Sequence, residues 1–135
     1  LVGTSSGLYI LDGAYADQLI GEETAILDIV PAGKKLWLAT NRGAYMRDED
    51  GQLYRVTESF RNIRSIHTVG DFVWMLTGTE SAPGPALVGK GLRFTPVPSR
   101  TARVTGLARE NGEVLLTTPQ GRLRFRGEHA AGKPQ

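Results

Sequence analysis

A short pattern of apolar and polar positions recurs four times along the chain. An apolar run leads to a threonine, then to polar residues and a glycine, and then to an apolar or aromatic residue; the third copy has a longer polar stretch after its threonine. The marking threonines are Thr4, Thr40, Thr77 and Thr118, at spacings of 36, 37 and 41 residues. Repeats of roughly 40 residues are typical of four-stranded propeller blades. The pattern therefore predicts a repeat fold.

The second copy shows how one repeat divides into strands. The run 25–30 is almost wholly apolar, like a strand buried on both faces, and 36–40 forms a second strand that leads into a turn. Residues 44–47 form a third strand, 48–51 predict a hairpin, and 52–56 alternate like a half-exposed outer strand. Apolar residues do not recur at helical spacing over about ten positions anywhere, so we expect essentially no helix.

The third and fourth copies follow the same plan with two departures. The segment 78–89 is rich in proline and glycine and is interpreted as a long loop, either functional or a tolerated insertion. The fourth copy turns at Asn111-Gly112, a pair that suits a type I′ turn, and ends after its third strand near Arg126. The predicted strands of these copies are 63–69, 72–77, an outer part within 91–97, 102–108 and 113–118.

The sequence thus predicts an all-β fold, a β-propeller of about four blades. The blades cover approximately 1–24, 25–60, 61–100 and 101–128, and a polar tail covers 129–135. The first blade begins at its second strand, and a row of blades leaves strand edges open. We therefore expect part of a larger propeller, or a ring completed by an oligomer; closure by one chain is the remaining alternative.

Composition narrows the possible functions. The net charge is +2, with the basic residues spread out, which argues against nucleic acid or a membrane surface as the partner. The chain has no cysteine and only two histidines, so it offers no thiol chemistry and little for a metal site. It also lacks a phosphate-binding loop, a dinucleotide fingerprint and a nucleophile elbow. We expect no cofactor, no metal and no enzymatic activity.

Two segments carry a family resemblance. The sequences LVGTSSGLY, at 1–9, and LWLATNRGAY, at 36–45, resemble the repeat of the two-component regulator propeller. The resemblance implies a large propeller that forms the ligand-sensing part of a bacterial signalling protein. It also implies a periplasmic or extracellular location.

Candidate binding residues lie where propeller loops meet at one rim. Loops that join an outer strand to the next inner strand share a rim with loops between second and third strands, and polar side chains there could bind a small polar ligand or a peptide. The alternative is that they are ordinary solvated turns. The candidates are Glu22, Asn41, Arg42, Arg61, Asn62, Glu80, Arg100 and Gln120.

Three further features have both a functional and a structural interpretation. Trp37 and Trp74 occupy equivalent positions and could form a sugar platform, although packing between blades is favoured. Arg122, Arg124 and Arg126 alternate, so they share one strand face that could receive phosphate or carboxylate groups or could simply be solvated. The segment 48–51 resembles the start of a calcium loop, but its twelfth position is occupied by serine, which leaves a hairpin.

Three functions remain open at this point. The first is a non-enzymatic sensor module that binds a small polar ligand or peptide. The second is a protein–protein interaction scaffold that assembles through blade edges, as a homo-oligomer or with the rest of a propeller. The third is a propeller-based lyase or glycosidase.

Overall fold

The computed structural model describes residues 2–4, 7–12, 15–20, 25–57, 62–97, 103–126 and 129–130. All regular structure within these ranges is β-strand, and the ranges contain no helix. No helix long and apolar enough to cross a membrane occurs in this part of the chain. The chain divides into two compact units, Leu1–Ile66 and His67–Gln135.

The strands form four small sheets, each made of strands that follow one another in the chain. Neighbouring strands pair antiparallel, as expected when short turns connect them. Sheet I contains β1 (Val2–Thr4), β2 (Gly7–Asp12) and β3 (Tyr15–Ile20); sheet II contains β4 (Ile26–Ala32), β5 (Lys35–Thr40), β6 (Gly43–Arg47) and β7 (Leu53–Arg55). Sheet III contains β8 (Ile63–Val69), β9 (Phe72–Gly78), β10 (Pro83–Lys90) and β11 (Arg93–Pro96); sheet IV contains β12 (Gly106–Glu110), β13 (Glu113–Thr118), β14 (Gly121–Arg126) and β15 (His129–Ala130).

The predicted turn chemistry is confirmed at two hairpins. Asn111 and Gly112 both have positive φ, 52° and 77°, as a type I′ turn requires between β12 and β13. Between β6 and β7, the Asp48 carboxylate accepts hydrogen bonds from the backbone N–H groups of Asp50 and Gln52, at 3.0 and 2.8 Å. Because Asp48 closes its own turn, the hairpin interpretation of 48–51 is the one that the structure supports.

The first unit is packed around the central strands of sheet II. Leu38 is fully buried, with partly buried apolar side chains packed around it. The residues on either side of it, Trp37 and Ala39, are buried on the other face of the strand. Burial on both faces explains why β5 is an unbroken apolar run.

The second unit has a core between sheets III and IV. Trp74 of β9 and Phe125 of β14 meet edge to face, with ring centroids 5.2 Å apart and planes inclined by 61°. Such aromatic pairs add about 0.5–1.5 kcal/mol beyond the area that they bury. The buried members of this core are Trp74, Leu76, Ala86, Val88, Val97, Val104, Val114, Leu116 and Phe125.

Two backbone regions differ from the sequence prediction. The segment 78–89 is not a long loop, because Pro83–Lys90 forms β10, a strand paired on both sides by β9 and β11. The run Ala86-Leu87-Val88-Gly89 is buried, and that burial outweighs the local preference of the preceding prolines for irregular structure. The tail is also shorter than predicted, because His129 and Ala130 form β15 against the end of β14.

Candidate functional site

Two of the marking threonines, Thr40 and Thr118, close the turns that follow β5 and β13. The Thr40 hydroxyl donates to the Gly43 carbonyl oxygen at 2.7 Å and accepts from the Arg42 backbone N–H at 3.0 Å. Thr118 repeats both bonds, to Gly121 at 2.9 Å and from Gln120 at 3.2 Å. The recurring threonine is therefore a structural device of the turn.

The third copy keeps one of these bonds across a longer corner. The Thr77 hydroxyl donates to the Pro85 carbonyl oxygen at 2.6 Å, over eight residues instead of three. Gly84 lies so close to the Thr77 hydroxyl that a Cβ there would overlap it. The extra residues form a tight corner stabilised by Thr79, whose hydroxyl accepts from the Ala82 N–H at 3.0 Å.

The rim candidates in sheet II make local backbone contacts. The Asn41 side-chain oxygen accepts from the Ala25 N–H at 2.8 Å, and the Asn41 N–H donates to the Ala25 carbonyl at 3.2 Å. The Arg42 carbonyl accepts from the Arg55 guanidinium at 2.7 Å. Asn41 thus ties its turn to the start of β4, and its acceptor oxygen is already occupied. A ligand-binding role for Asn41 and Arg42 stays a prediction.

The other rim candidates are spread over separate turns or lie outside the described residues. Asn62 is exposed just before β8, Glu80 is exposed in the β9–β10 corner, and Gln120 is exposed in the β13–β14 turn. Asn41 and Arg42 share one turn, and Glu80 and Gln120 lie on corresponding turns of sheets III and IV. The remaining candidates, Glu22, Arg61 and Arg100, lie outside the described residues.

The two tryptophans are core residues. Trp37 is 3% exposed and Trp74 is fully buried. A stacking platform for a sugar must present its ring to solvent, so the structure supports the packing interpretation. The Trp74 indole N–H is buried and has no hydrogen-bond partner among the described residues, and the Phe125 ring packs against the indole.

One face of sheet IV is charged and open. We call it the arginine face. Its residues lie on β13 and β14 and alternate along these strands with core residues such as Val114 and Phe125, whose side chains point to the opposite face. Thr117 and the three arginines are exposed, while Leu115 and Glu113 are half-buried. The arginine face consists of Glu113, Leu115, Thr117, Arg122, Arg124 and Arg126.

An ion-pair cluster lies at one end of the arginine face. Glu113 accepts from Arg124 Nη1 at 3.0 Å, from Arg126 Nε at 3.1 Å and from Arg126 Nη2 at 2.9 Å. The hydrogen bond from Arg124 lowers the pKa of Glu113 below its ordinary value of 4.5, and Arg126 contributes to this lowering, while burial acts in the opposite direction. Two of the three alternating arginines are therefore held by a carboxylate on the neighbouring strand.

The same register positions in sheets II and III are apolar and buried. Four positions in each of sheets II, III and IV share one face. Two of them lie on the second strand of the repeat, one and three residues before the marking threonine. The other two are their register partners on the third strand. In sheets II and III every one of these side chains is at most 4% exposed. The set is Trp37, Ala39, Ala44 and Met46 in sheet II, Trp74, Leu76, Ala86 and Val88 in sheet III, and Leu115, Thr117, Arg122 and Arg124 in sheet IV.

Sequence reasoning named the arginines but missed this contrast. The available signal was an alignment of the copies on the marking threonine. That alignment places Thr117 where the earlier copies have Ala39 and Leu76. In the described ranges, no group of three or more His, Cys, Asp or Glu side chains is placed to hold a metal ion. The arrangement at sheet IV offers charge recognition by exposed arginine side chains on a pleated surface.

Comparison with known proteins identifies the fold at a coarse level. No family model matches the sequence, and no curated protein matches it. The crystal structure of the N-terminal domain of Nup159, a nucleoporin β-propeller, is similar over 93% of this chain, with a TM-score of 0.63 and 11% sequence identity. The chain spans 33% of the length of that solved chain. The likeness and the four antiparallel sheets together support an all-β, propeller-like fold.

Proposed function

We propose that this chain is a non-enzymatic protein-binding module of the β-propeller type, and that the arginine face of sheet IV docks another protein segment. Sheets I to IV are the blades of a row of about four, which belongs to a larger propeller or to one completed by another chain. The observation that carries the proposal is the contrast at equivalent register positions. Sheets II and III have apolar side chains on this face, whereas sheet IV has Thr117, Arg122 and Arg124 at the equivalent positions.

The character of the face favours a macromolecular partner. A small ligand is usually held in a concave pocket with converging polar groups, whereas β13 and β14 present a pleated surface with side chains in two parallel rows. Half-buried Leu115 lies between Thr117 and the charged cluster, which gives an apolar centre with a polar surround. Protein interfaces commonly combine such a centre with a charged rim in which arginine is enriched.

The similarity to the N-terminal domain of Nup159 concerns the fold alone. The sensor role implied by the regulator-propeller resemblance stays a prediction, as does the periplasmic or extracellular location. The polar groups described at the rim are not specific to that role, since turns of this kind are polar for local reasons.

Site-specific photo-crosslinking tests the docking face. A photoreactive amino acid replaces Thr117, an exposed residue at the end of the arginine face opposite the ion-pair cluster, in the protein expressed in its native cells. The matched control places the same group at Leu92, a 47% exposed residue in the β10–β11 turn. We expect a discrete crosslinked partner from position 117 and none from position 92.

The partner segment is then identified by mass spectrometry, and its binding to the purified chain is measured directly. Crosslinks at position 117 that are absent, or no more specific than those at position 92, would contradict the proposal. So would a purified partner segment that binds the chain equally well after Thr117→Trp, which adds bulk to the face without adding charge.

A further inference from the structure

We infer that the segment docked on the arginine face is acidic, with carboxylates at alternate positions of an extended stretch. The inference rests on the proposed function and adds the chemistry of the partner. Arg122 and Arg124 are the residues that carry it. Arg122 occupies the register position of Ala44 in sheet II and Ala86 in sheet III, both of which are buried. Arg124 occupies the position of Met46 and Val88, which are also buried.

The spacing of the arginines sets the spacing of their partners. Arg122 and Arg124 are two residues apart on β14, on one side of the strand, so their Cα atoms are about 6.8 Å apart. Carboxylates on alternate residues of an extended segment have the same repeat. An arginine guanidinium can also bind a carboxylate through two parallel hydrogen bonds, which favours carboxylates over single acceptors.

The charge on the face is only partly balanced, because three arginines share two carboxylates, Glu113 and the neighbouring Glu110 of β12. One carboxylate, Glu113, serves two guanidiniums, those of Arg124 and Arg126. Arg122 lies opposite Thr117, which offers a hydroxyl and no charge. A purely apolar partner would bury guanidiniums without enough counter-charge, and an uncompensated buried charge is strongly unfavourable. Acidic side chains would supply that counter-charge.

Nucleic acid fits these observations less well. Its affinity depends on several phosphate contacts at once, whereas the chain has a net charge of only +2. The exposed Glu110 on β12 pairs in register with Glu113, so two carboxylates lie side by side in a row across β12 and β13. A phosphate backbone crossing the sheet would meet that row, whereas a peptide lying along β14 meets mainly arginines.

Fluorescence anisotropy of a labelled peptide tests the inference. The probe is a short peptide of alternating glutamate and threonine, and the control peptide has glutamine in place of glutamate. At low ionic strength we expect the acidic peptide alone to bind. Arg122→Gln should weaken binding at least about fivefold, while Arg93→Gln, which removes an exposed arginine from β11, should change binding less than about twofold.

A second variant gives a change of opposite sign. Glu113→Gln removes the internal competitor for Arg124 and Arg126, so the acidic peptide should bind severalfold more tightly. Circular dichroism confirms that each variant is folded. Loss of binding in Glu113→Gln, or equal effects of Arg122→Gln and Arg93→Gln, would overturn the inference.

The two proposals fail separately. Specific crosslinks at Thr117 to a partner segment without acidic residues would leave the docking face standing and refute the acidic partner. A single-stranded oligonucleotide that binds more tightly than the peptide, with the same dependence on Arg122, would replace the partner class with nucleic acid. Absence of both peptide binding and crosslinking would refute both proposals.

Discussion

Replacing the marking threonines with valine tests their structural role quantitatively, because valine keeps the shape and removes the hydroxyl. Thr40 and Gly43 are both buried, so Thr40→Val removes a buried hydrogen bond to the Gly43 carbonyl oxygen that water cannot easily replace. Loss of such a buried bond costs about 1–2 kcal/mol, and the lost bond from the Arg42 N–H adds about 1 kcal/mol. We expect Thr40→Val to lower the free energy of unfolding by about 2–3 kcal/mol.

The same change in sheet IV should cost less. Thr118 makes the same two bonds, but Gly121 and Gln120 are exposed, so water can replace the hydroxyl at both groups. We expect a loss of about 1 kcal/mol for Thr118→Val. The structure therefore predicts an order of effects between two residues that the sequence pattern treats as equivalent.

Urea unfolding followed by tryptophan fluorescence measures both effects. Trp37 lies on β5 with Thr40, so a Trp74→Phe background reports the first unit; Trp74 contacts Phe125 of sheet IV, so a Trp37→Phe background reports the second. Thr117→Val, at an exposed neighbouring position, is the control and should change stability by less than about 0.5 kcal/mol. Equal costs at Thr40 and Thr118, or a cost below about 0.5 kcal/mol at Thr40, would refute the reasoning.

Three further changes have definite expected outcomes. Gly89→Ala would place a Cβ atom on top of the Arg93 carbonyl oxygen, and the backbone there cannot easily move aside. We expect the free energy of unfolding, measured in urea, to fall by about 3 kcal/mol. A decrease below about 1 kcal/mol would contradict the close approach of Gly89 and Arg93. The folded-state pKa of Glu113 is lowered, so its ion pairs stabilise the fold above the ordinary pKa of 4.5, and this stabilisation is lost as pH falls through the lowered value. The urea midpoints of the wild type and of Glu113→Gln should therefore converge in acid. A difference between the two midpoints that stays constant with pH would contradict the role of these ion pairs. The charge of Asp48 raises the pKa of Tyr54 above 10.0, so Asp48→Asn should lower the pH at which the Tyr54 phenol ionises. Difference absorbance of phenolate, with Tyr54→Phe as the reference, measures this midpoint. An unchanged midpoint in Asp48→Asn would exclude the charge of Asp48 as the cause.

The repeat and its turns could be predicted from sequence because their signals are local. Alternating or continuous apolar runs define the strands, and Asn111-Gly112 specifies its own turn through backbone preference. The threonine pattern located the second strand of each repeat. Its chemical reason, a hydroxyl that hydrogen-bonds the backbone of the turn in the second and fourth copies, became visible only in the structure.

Strand β10 could not be predicted because its local and tertiary preferences conflict. Pro83, Gly84 and Pro85 favour irregular backbone, yet the pairing register shifts between Pro83 and Ala86, so the irregular residues sit in a bulge before the buried run. The arginine face was underestimated for a related reason. A strand pattern shows which residues share a face, but only pairing and burial show which faces are covered.

The corner between β9 and β10 has a practical consequence for anyone who wishes to modify this protein. The Thr77 hydroxyl reaches the third strand of its sheet although more backbone intervenes than in the second and fourth copies. The longer corner keeps the bond from Thr77 to the third strand, and Glu80 and Ser81 at its tip are exposed. An epitope tag or a reporter inserted between these two residues should leave the sheets intact, which makes this corner the natural place to attach a label.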